Sequence, residues 1–582
     1  MSAPKDADDR LHLLLADADE LRPVLGEGIP GDALQGAKSP KKTIRNETND
    51  KRQDDAEPND LKLQRWGVVV PEGGAGKRLL EAIQPLIRLR EEEQGGAPVK
   101  TYSVPTQMSV AHTVTWMEDT YWSTDTSEKD RPRYLLLLGD LHEMQAELQH
   151  TLANNTFVGR IHFANEEGDP DLAGYAAYAE KVVRFAREGS FDAPDMAFFA
   201  AQDGTAATAT AELNLLSPGL EEAQQRLANG NLDAAAVRRL EARTVNELLA
   251  EGAGERPSVL LSVTHGMAPP RKGWSEQEQR RKQGSLILDR GEVLDADRLL
   301  GQRFLPGGMW FCLACYGGGS PTNSAYNAWL KDLAEGGAWS GNLKAVLSSL
   351  PSEGRPPFVA AMPQAALRNP EGPLGVIGHM DLAWTYGYMS AKDLSVRRES
   401  RFMEPLYALA RGSRAGVGLD LLLRAYRDAN NALLASYQRE KDASVDGKTN
   451  PTDPVERAHF WMLRNDLRGY VLLGDPAARL PLRKNALAPK GREPEATSII
   501  PEVRSNSTEL KAESAPQGSA PVKSEVGAPI PATVDDRVEA AQAMLYGDEA
   551  PRSIAARKGV SLKVLWEWVD AYRAGGREKL SK

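Results

Sequence analysis

Cysteine is nearly absent from this chain. The 582 residues hold two, Cys312 and Cys315, with Leu313 and Ala314 between them. Neighbouring thiols cannot staple distant segments, so a disulfide framework is excluded and a reducing, cytoplasmic setting is expected. Long apolar runs are missing too. No window approaches the roughly 18 residues that a membrane-crossing helix needs, and the tightest run, in "YLLLLG", has strand length. The opening "MSAPKDADDRLHLLLADADE" is acidic, and its apolar run extends only from Leu13 to Ala16, unlike a secretory signal. A net charge of −10 lacks the positive excess of a globally nucleic-acid-binding or membrane-surface protein. No membrane partner and no cofactor are expected. Hydrophobic residues at 41% and charged residues at 26% are those of a globular protein long enough for several domains.

Residues 1–60 end in "SPKKTIRNETNDKRQDDAEPND", a charged stretch nearly free of large apolar side chains. The segment is expected to be mostly disordered, with room for a short helix around Asp8–Leu25. From "RWGVVVP" onward strand and helix patterns alternate. "PRYLLLLGD", "GRIHFAN", "DMAFFAAQ", "SVLLSVTHG", "GSLILD", "MWFCLAC", "PPFVAAMPQ", "GPLGVIGHMD" and "GYVLLGDPAARL" read as strands. "LHEMQAELQHTL", "LAGYAAYAEKVVRFAREG", "GLEEAQQRLANG" and "DAAAVRRLEARTVNELLAEG" read as helices. Buried strands alternating with helices predict an α/β fold, a largely parallel sheet covered on both faces. Residues 486–532 are rich in Pro, Ser, Glu and Ala and read as a linker. A small all-α unit follows at 533–582.

Functional residues of open α/β sheets gather beyond the carboxyl ends of the strands. His265, followed by Gly266, ends the strand "SVLLSVT", and Cys315, followed by "YGGGSPTN", ends "MWFCLA". Glycine lets backbone N–H groups approach a substrate closely, and such groups can hold an oxyanion. A thiol becomes a useful nucleophile beside a base such as imidazole. Cys312 and Cys315 also admit a redox pair, a metal clip or a core role. Side chains three apart on a strand point to opposite faces, and a structural zinc site needs about four ligands, with no second Cys/His pair nearby. Nucleophile is the preferred reading of Cys315, and core residue that of Cys312.

His-Gly followed about 50 residues later by Cys-x-Gly, each at a strand end, resembles the caspase–gingipain fold and, within it, the CHAT-type bacterial cysteine peptidases. The blocks "YLLLLGD", "SVTHGMAPP", "QGSLILD", "ACYGGGSP", "FVAAMPQAAL", "LGVIGHMDLAW" and "LLGDPAARL" resemble that group in order, over residues 62–482. The resemblance implies a cysteine endopeptidase acting on a protein or peptide substrate. Its caspase-like domain would span 251–485, preceded by a related α/β subdomain at 61–250. His265 would serve as base and Cys315 as nucleophile through a thioester, with the Gly266 and Cys315 N–H groups as oxyanion donors. A role in bacterial stress, defence or regulated death is implied by the same resemblance. The alternative is a non-catalytic DNA-binding or scaffolding protein on this fold. "PEGGAGKR" and "GDLHEMQA" depart from the group's pattern.

Near "GHMDLAWTYGY", Asp381 and Trp384 are candidates for the substrate pocket, and an acidic pocket would favour a basic side chain before the cleaved bond. His379 is read as structural before catalytic. "PEGGAGKR" fails as a phosphate loop, with Pro71 where glycine is wanted and Arg78 after the lysine. Asp475 reads as a structural cap, and His112, His142, His150 and His162 show no ligand spacing. The string "IAARKGVSLKVLWEWVDAYRAGG" resembles the helix-turn-helix of transposase-like proteins. That resemblance implies contact with DNA through Arg557, Lys558, Ser561 and Lys563; docking of an adaptor protein is the alternative.

Overall fold

Apolar runs along the chain become strands that are buried on both faces. The computed structural model describes residues 10–30 and 57–483, except 107, 124–125, 127, 166, 271, 337–341, 352–353 and 391–395. It also describes Arg537, Ala540, Arg557, Lys558, Val560, Val564 and Trp568. Two units divide the chain, Met1–Arg492 and Glu493–Lys582.

In the first unit β1 (Arg10–Leu11), β2 (Leu15–Asp17) and β3 (Ile29–Pro30) come first. Then follow β4 (Trp66–Pro71), β5 (Lys100–Val104), β6 (Tyr134–Leu138), β7 (Phe157–Ile161), β8 (Asp195–Ala200), β9 (Ala236–Arg239) and β10 (Ser258–Val263). Next are β11 (His265–Ala268), β12 (Leu286–Ile287), β13 (Val293–Leu294) and β14 (Met309–Leu313). Last come β15 (Gly319–Ser320), β16 (Phe358–Val359), β17 (Gly375–His379) and β18 (Tyr470–Gly474). Ten of these form one sheet, in the order β5-β4-β6-β7-β18-β17-β14-β10-β8-β9. Every neighbouring pair is parallel except β17 and β18. The sheet is therefore two five-stranded parallel blocks of opposite direction, joined at one antiparallel seam. The α/β class expected from the alternation is what the chain adopts, with helices flanking a large central sheet. Strands from both sides of residue 250 share the second block, so the division expected there does not mark a break in the sheet.

Several local expectations are corrected. Residues 10–30 are ordered, and they form short strands rather than a helix, with Leu13–Ala16 fully buried. "DAAAVRRL" is alanine-rich, yet Ala236–Arg239 adds to the edge of β8 as strand β9. The helix of that region starts only at Val245, where Thr244 and Glu247 form a reciprocal capping box. Likewise helix Ala146–Leu152 begins five residues later than the pattern suggests. Asp140 Oδ1 accepts the Leu141 N–H and holds a turn ahead of it. Asp475 is buried and accepts from Trp66 Nε1, from Arg90 Nε and Nη2, and from its own turn at Ala477 N–H. It ties the end of β18 to β4 and to the helix Gln84–Glu93.

Among the described residues no helix is long and apolar enough to cross a membrane. In the unit Glu493–Lys582, Arg557 is helical and exposed, Lys558 lies in a turn, and Arg537 sits over the Trp568 ring at 5.8 Å. Ser561, Lys563 and the expected linker 486–532 lie outside the described residues.

Candidate functional site

Strands β8, β10 and β14 lie side by side and end level, Val263 pairing with Ala200 on one side and Leu313 on the other. The residues just past these three ends therefore meet. They are Asp203 and Thr205 after β8, His265 after β10, and Cys315 after β14.

Cys315 enters a tight turn. Tyr316 takes φ 57°, the left-handed region, which costs a bulky residue on the order of 1–2 kcal/mol. The turn is over-determined. Tyr316 N–H donates to Asp381 O at 3.0 Å, Gly318 N–H to His379 O at 2.8 Å, and Gly319 N–H to Tyr316 O at 3.1 Å. Two glycines let other backbone come up against it. A Cβ on Gly266 would stand 1.8 Å from Cys315 O, and one on Gly284 would stand 2.1 Å from Tyr316 O. Gly266 therefore has to be glycine for β11 to lie against the Cys315 peptide unit.

His265 is buried, and its Nε2 edge is held. Nε2 lies 2.9 Å from Thr205 Oγ1 and 3.4 Å from Asp203 Oδ2. Thr205 Oγ1 lies 3.0 Å from Thr208 Oγ1, which donates to Asp203 Oδ1 at 2.6 Å. Because Thr208 spends its proton on the carboxylate, the consistent assignment is a relay. Nε2–H donates to Thr205, Thr205 to Thr208, and Thr208 to Asp203. Nδ1 is then the acceptor nitrogen, and it is buried with no hydrogen-bond partner. An imidazole so oriented can take a proton at Nδ1, with Asp203 stabilising the cation that forms. Burial brings its pKa down to about 4, with Asp203 opposing that shift.

The Cys315 thiol is fully buried. Its Sγ accepts the Ala383 N–H at 3.3 Å and lies 3.6 Å from Ala383 O, with no hydrogen bond to His265. Burial pushes the thiol well above its ordinary pKa, so it is protonated here. The two backbone donors expected from the sequence do converge. Gly266 N–H at 3.0 Å and Cys315 N–H at 3.2 Å both donate to one oxygen, the carbonyl of Leu14. On the His265 side lies a cavity of about 350 Å³ lined by Ala16, Leu21, Arg22, Asp203, Thr205 and Ile287 among others.

Other expected residues have defined places. Cys312 sits in β14 beside Ser262 and Gly378, buried and unpaired, with its thiol pushed up to about 12 by burial. It is a core residue and forms no disulfide with Cys315. Among the described residues no cluster of His, Cys, Asp or Glu could hold a metal ion. His379 has both ring nitrogens engaged, Nε2 donating to Asp466 O at 2.9 Å and Nδ1 accepting Asp381 N–H at 3.1 Å. It fastens the seam and has no nitrogen left for proton transfer. The Asp381 carboxylate is buried and joins two loops, accepting the Leu382 N–H beside it and the Ala325 N–H of a separate segment at 2.8 Å each. Burial pushes it up to about 6. Both its oxygens are engaged by backbone N–H groups, so the geometry lends no support to a preference for a basic substrate side chain. Trp384 is fully buried against Tyr326 and Trp329, at 5.6 Å between ring centroids in each case. Its backbone bridges Leu13.

Sequence reading missed Asp203, Thr205 and Leu14. The first two lie in "QDGTAAT", a polar turn with no spacing to His265 that a pattern would catch. A Thr-x-x-Thr start to helix Ala206–Ala211 was the one local hint.

No family model matches the chain, and no curated protein matches it. Its fold is similar to a solved structure described as the Arg-specific cysteine proteinase gingipain R, over 73% of this chain and 80% of that one. The identity is 10% and the TM-score 0.41, a likeness too distant to carry an argument about chemistry.

Proposed function

We propose that the chain is a cysteine-type endopeptidase in which His265 and Cys315 form the reacting pair. The observation that carries this reading is the meeting, past three level strand ends, of a thiol, an imidazole oriented through Nε2, and two N–H groups aimed at one carbonyl oxygen. In the proposed reaction a peptide carbonyl sits between the Gly266 and Cys315 N–H groups. The Cys315 sulfur bonds to its carbon while the thiol proton passes to His265 Nδ1. The oxyanion draws on the two donors, which removing one at a time would weaken by roughly 10²–10³ in rate. The C–N bond then breaks, and His265 returns its proton to the departing amine. Water, deprotonated by the same nitrogen, releases the acid from the thioester. Asp203 and Thr205 are positioning residues, acting through His265.

The experiment is labelling by an acyloxymethyl-ketone peptide library, read by mass spectrometry, with Cys315→Ala and His265→Ala as controls. Labelling at Cys315 that His265→Ala abolishes is the expected result. A second reading, a non-catalytic scaffold, is favoured by the buried thiol bound to Ala383, and it predicts no labelling under any condition. The CHAT-type placement, the cytoplasmic setting and the bacterial stress or defence role belong to the same proposal, supported by the block order and the two unpaired cysteines. For residues 533–582 we propose a helix-turn-helix that meets DNA. Its basic string supports this, with Arg557 exposed on a helix and Lys558 in a turn.

A further inference from the structure

The groups that build the site also hold a strand of this chain in it. His12–Asp17 runs between β11 and Ala383–Thr385. On one side Leu13 bridges Trp384 antiparallel, Thr385 N–H donates to His12 O at 3.3 Å, and Leu14 N–H donates to Ala383 O at 3.3 Å. On the other side Leu15, Ala16 and Asp17 pair in parallel with Gly266, Met267 and Ala268. Leu14 O takes both N–H groups, one of them the nucleophile's own amide. Past this point the chain turns back. Asp17 N–H donates to Arg22 O and Val24 N–H to Leu15 O, each at 2.9 Å, so the segment is a pinned hairpin.

An ordinary edge strand would pair with β11 without offering its carbonyl to Cys315. This one is hydrogen-bonded on both sides, extended through Leu14, and places one peptide unit where the reaction needs a peptide unit. It also closes the site, since Leu13–Ala16 and Cys315 are all fully buried.

We propose, resting on the peptidase reading of this site, that residues 12–17 are a built-in substrate-like strand. They cover Cys315, and the cleft they fill takes an extended apolar peptide with leucine immediately before the attacked bond. Leu14 brings no charge to the site, in keeping with the Asp381 carboxylate being occupied by the Ala325 and Leu382 N–H groups. A strand tethered in the same chain competes at an effective concentration in the millimolar range, so free peptides label the wild type slowly, during the fraction of time that the strand is open.

The test uses the full-length chain, with Leu14→Glu to expel the strand and Leu14→Ala as the milder change. Folding is checked by the thermal midpoint, and if Leu14→Glu does not fold, Leu14→Ala carries the comparison. First, iodoacetamide alkylation of Cys315 is followed by mass spectrometry, which needs access and no catalysis. The expected result is alkylation at least about tenfold faster in Leu14→Glu, with Leu14→Ala between, because the strand must open before the reagent enters. Equal rates in wild type and variants overturn the covering strand. Second, leucyl and arginyl acyloxymethyl ketones are compared on the opened variant. Leucyl labelling faster by about tenfold or more is expected, the difference of a matched apolar side chain against a buried charge. Faster arginyl labelling overturns the leucine assignment. Alkylation without labelling by either ketone would leave the covering strand standing and remove the peptidase reading together with the substrate assignment.

Discussion

Asp140 and Asp203 each stand a few residues beyond a strand of the same sheet, β6 and β8, and each has imidazole within 4 Å. Around Asp140, His142 Nδ1 is 3.0 Å away, His162 Nε2 3.8 Å, and Arg280 Nη1 2.8 Å. Its other oxygen accepts the Leu141 and Val359 N–H groups. With an arginine and two amides on it, this carboxylate is held ionised far below its ordinary range despite burial. Among the described residues no arginine pairs with Asp203. One oxygen takes Thr205 N–H and the Thr208 hydroxyl, and the other has only the His265 edge at 3.4 Å. Two acid–imidazole clusters in one sheet thus differ in who neutralises the acid. Where a permanent cation does so, the imidazoles are spectators and the cluster ties loops together. Where none does, the carboxylate is free to stabilise charge that appears on histidine.

The largest effects should separate the imidazoles. In the Leu14→Glu background, which opens the cleft, His265→Ala should lower ketone labelling of Cys315 by about 10³-fold or more. His162→Ala should leave it within about threefold per folded molecule; an equal loss would end the distinction. The carboxylates should then cross over. Asp140→Ala strands Arg280 and should cost about 3–5 kcal/mol in denaturant unfolding with little change in labelling. Asp203→Ala should cost under about 1 kcal/mol in stability and about 10²-fold in labelling. Restoring much of that rate with Asp203→Glu would mark a charge effect.

Proton linkage should differ in sign between His265 and His142. His265 is buried neutral at about 4, below its unfolded value, so the folded chain loses stability as pH falls from about 6.5 toward 4. At pH 5 this amounts to about 2 kcal/mol. His265→Ala should therefore look more stable relative to wild type at pH 5 than at pH 7.5. The smallest effect belongs to His142, raised by its hydrogen bond to Asp140 and partly exposed. Its contribution is present below pH 6.5 and is lost as pH rises through its own higher pKa. His142→Ala should thus cost more in thermal midpoint at pH 5.5 than at pH 9, and the reverse order would refute the Asp140 pairing.

The legible parts of the molecule were those whose signal is local. The placement of His265 and Cys315 past neighbouring strand ends could be read because each closes an apolar run, with glycine directly after His265 and one residue beyond Cys315. Gly266 could be read as a close-approach glycine for the same reason. Asp203 and Thr205 meet His265 only because β8 and β10 are neighbours, which no spacing encodes. Leu13–Ala16 fell in a segment expected to be mostly disordered with room for a short helix, because its strand partners lie at Gly266 and Trp384, far along the chain. "DAAAVRRL" carries helix propensity that pairing with β8 overrides. His142 and His162 looked unrelated to any carboxylate because Asp140 and Arg280 converge only in the fold.

The antiparallel seam has a consequence in the order of synthesis. Strand β18, at Tyr470–Gly474, sits between β7 and β17 and is the last strand of the sheet to be made. While residues 380–469 are still emerging, a nascent chain holds two half-sheets, each with a bare edge. Both edges, β7 and β17, are fully buried in the finished fold and would recruit any strand within reach. A chain that stops short of residue 470 would leave those two edges open, with the half of the sheet that carries His265 and Cys315 lacking its neighbour. Closure of the sheet thus waits on one late strand.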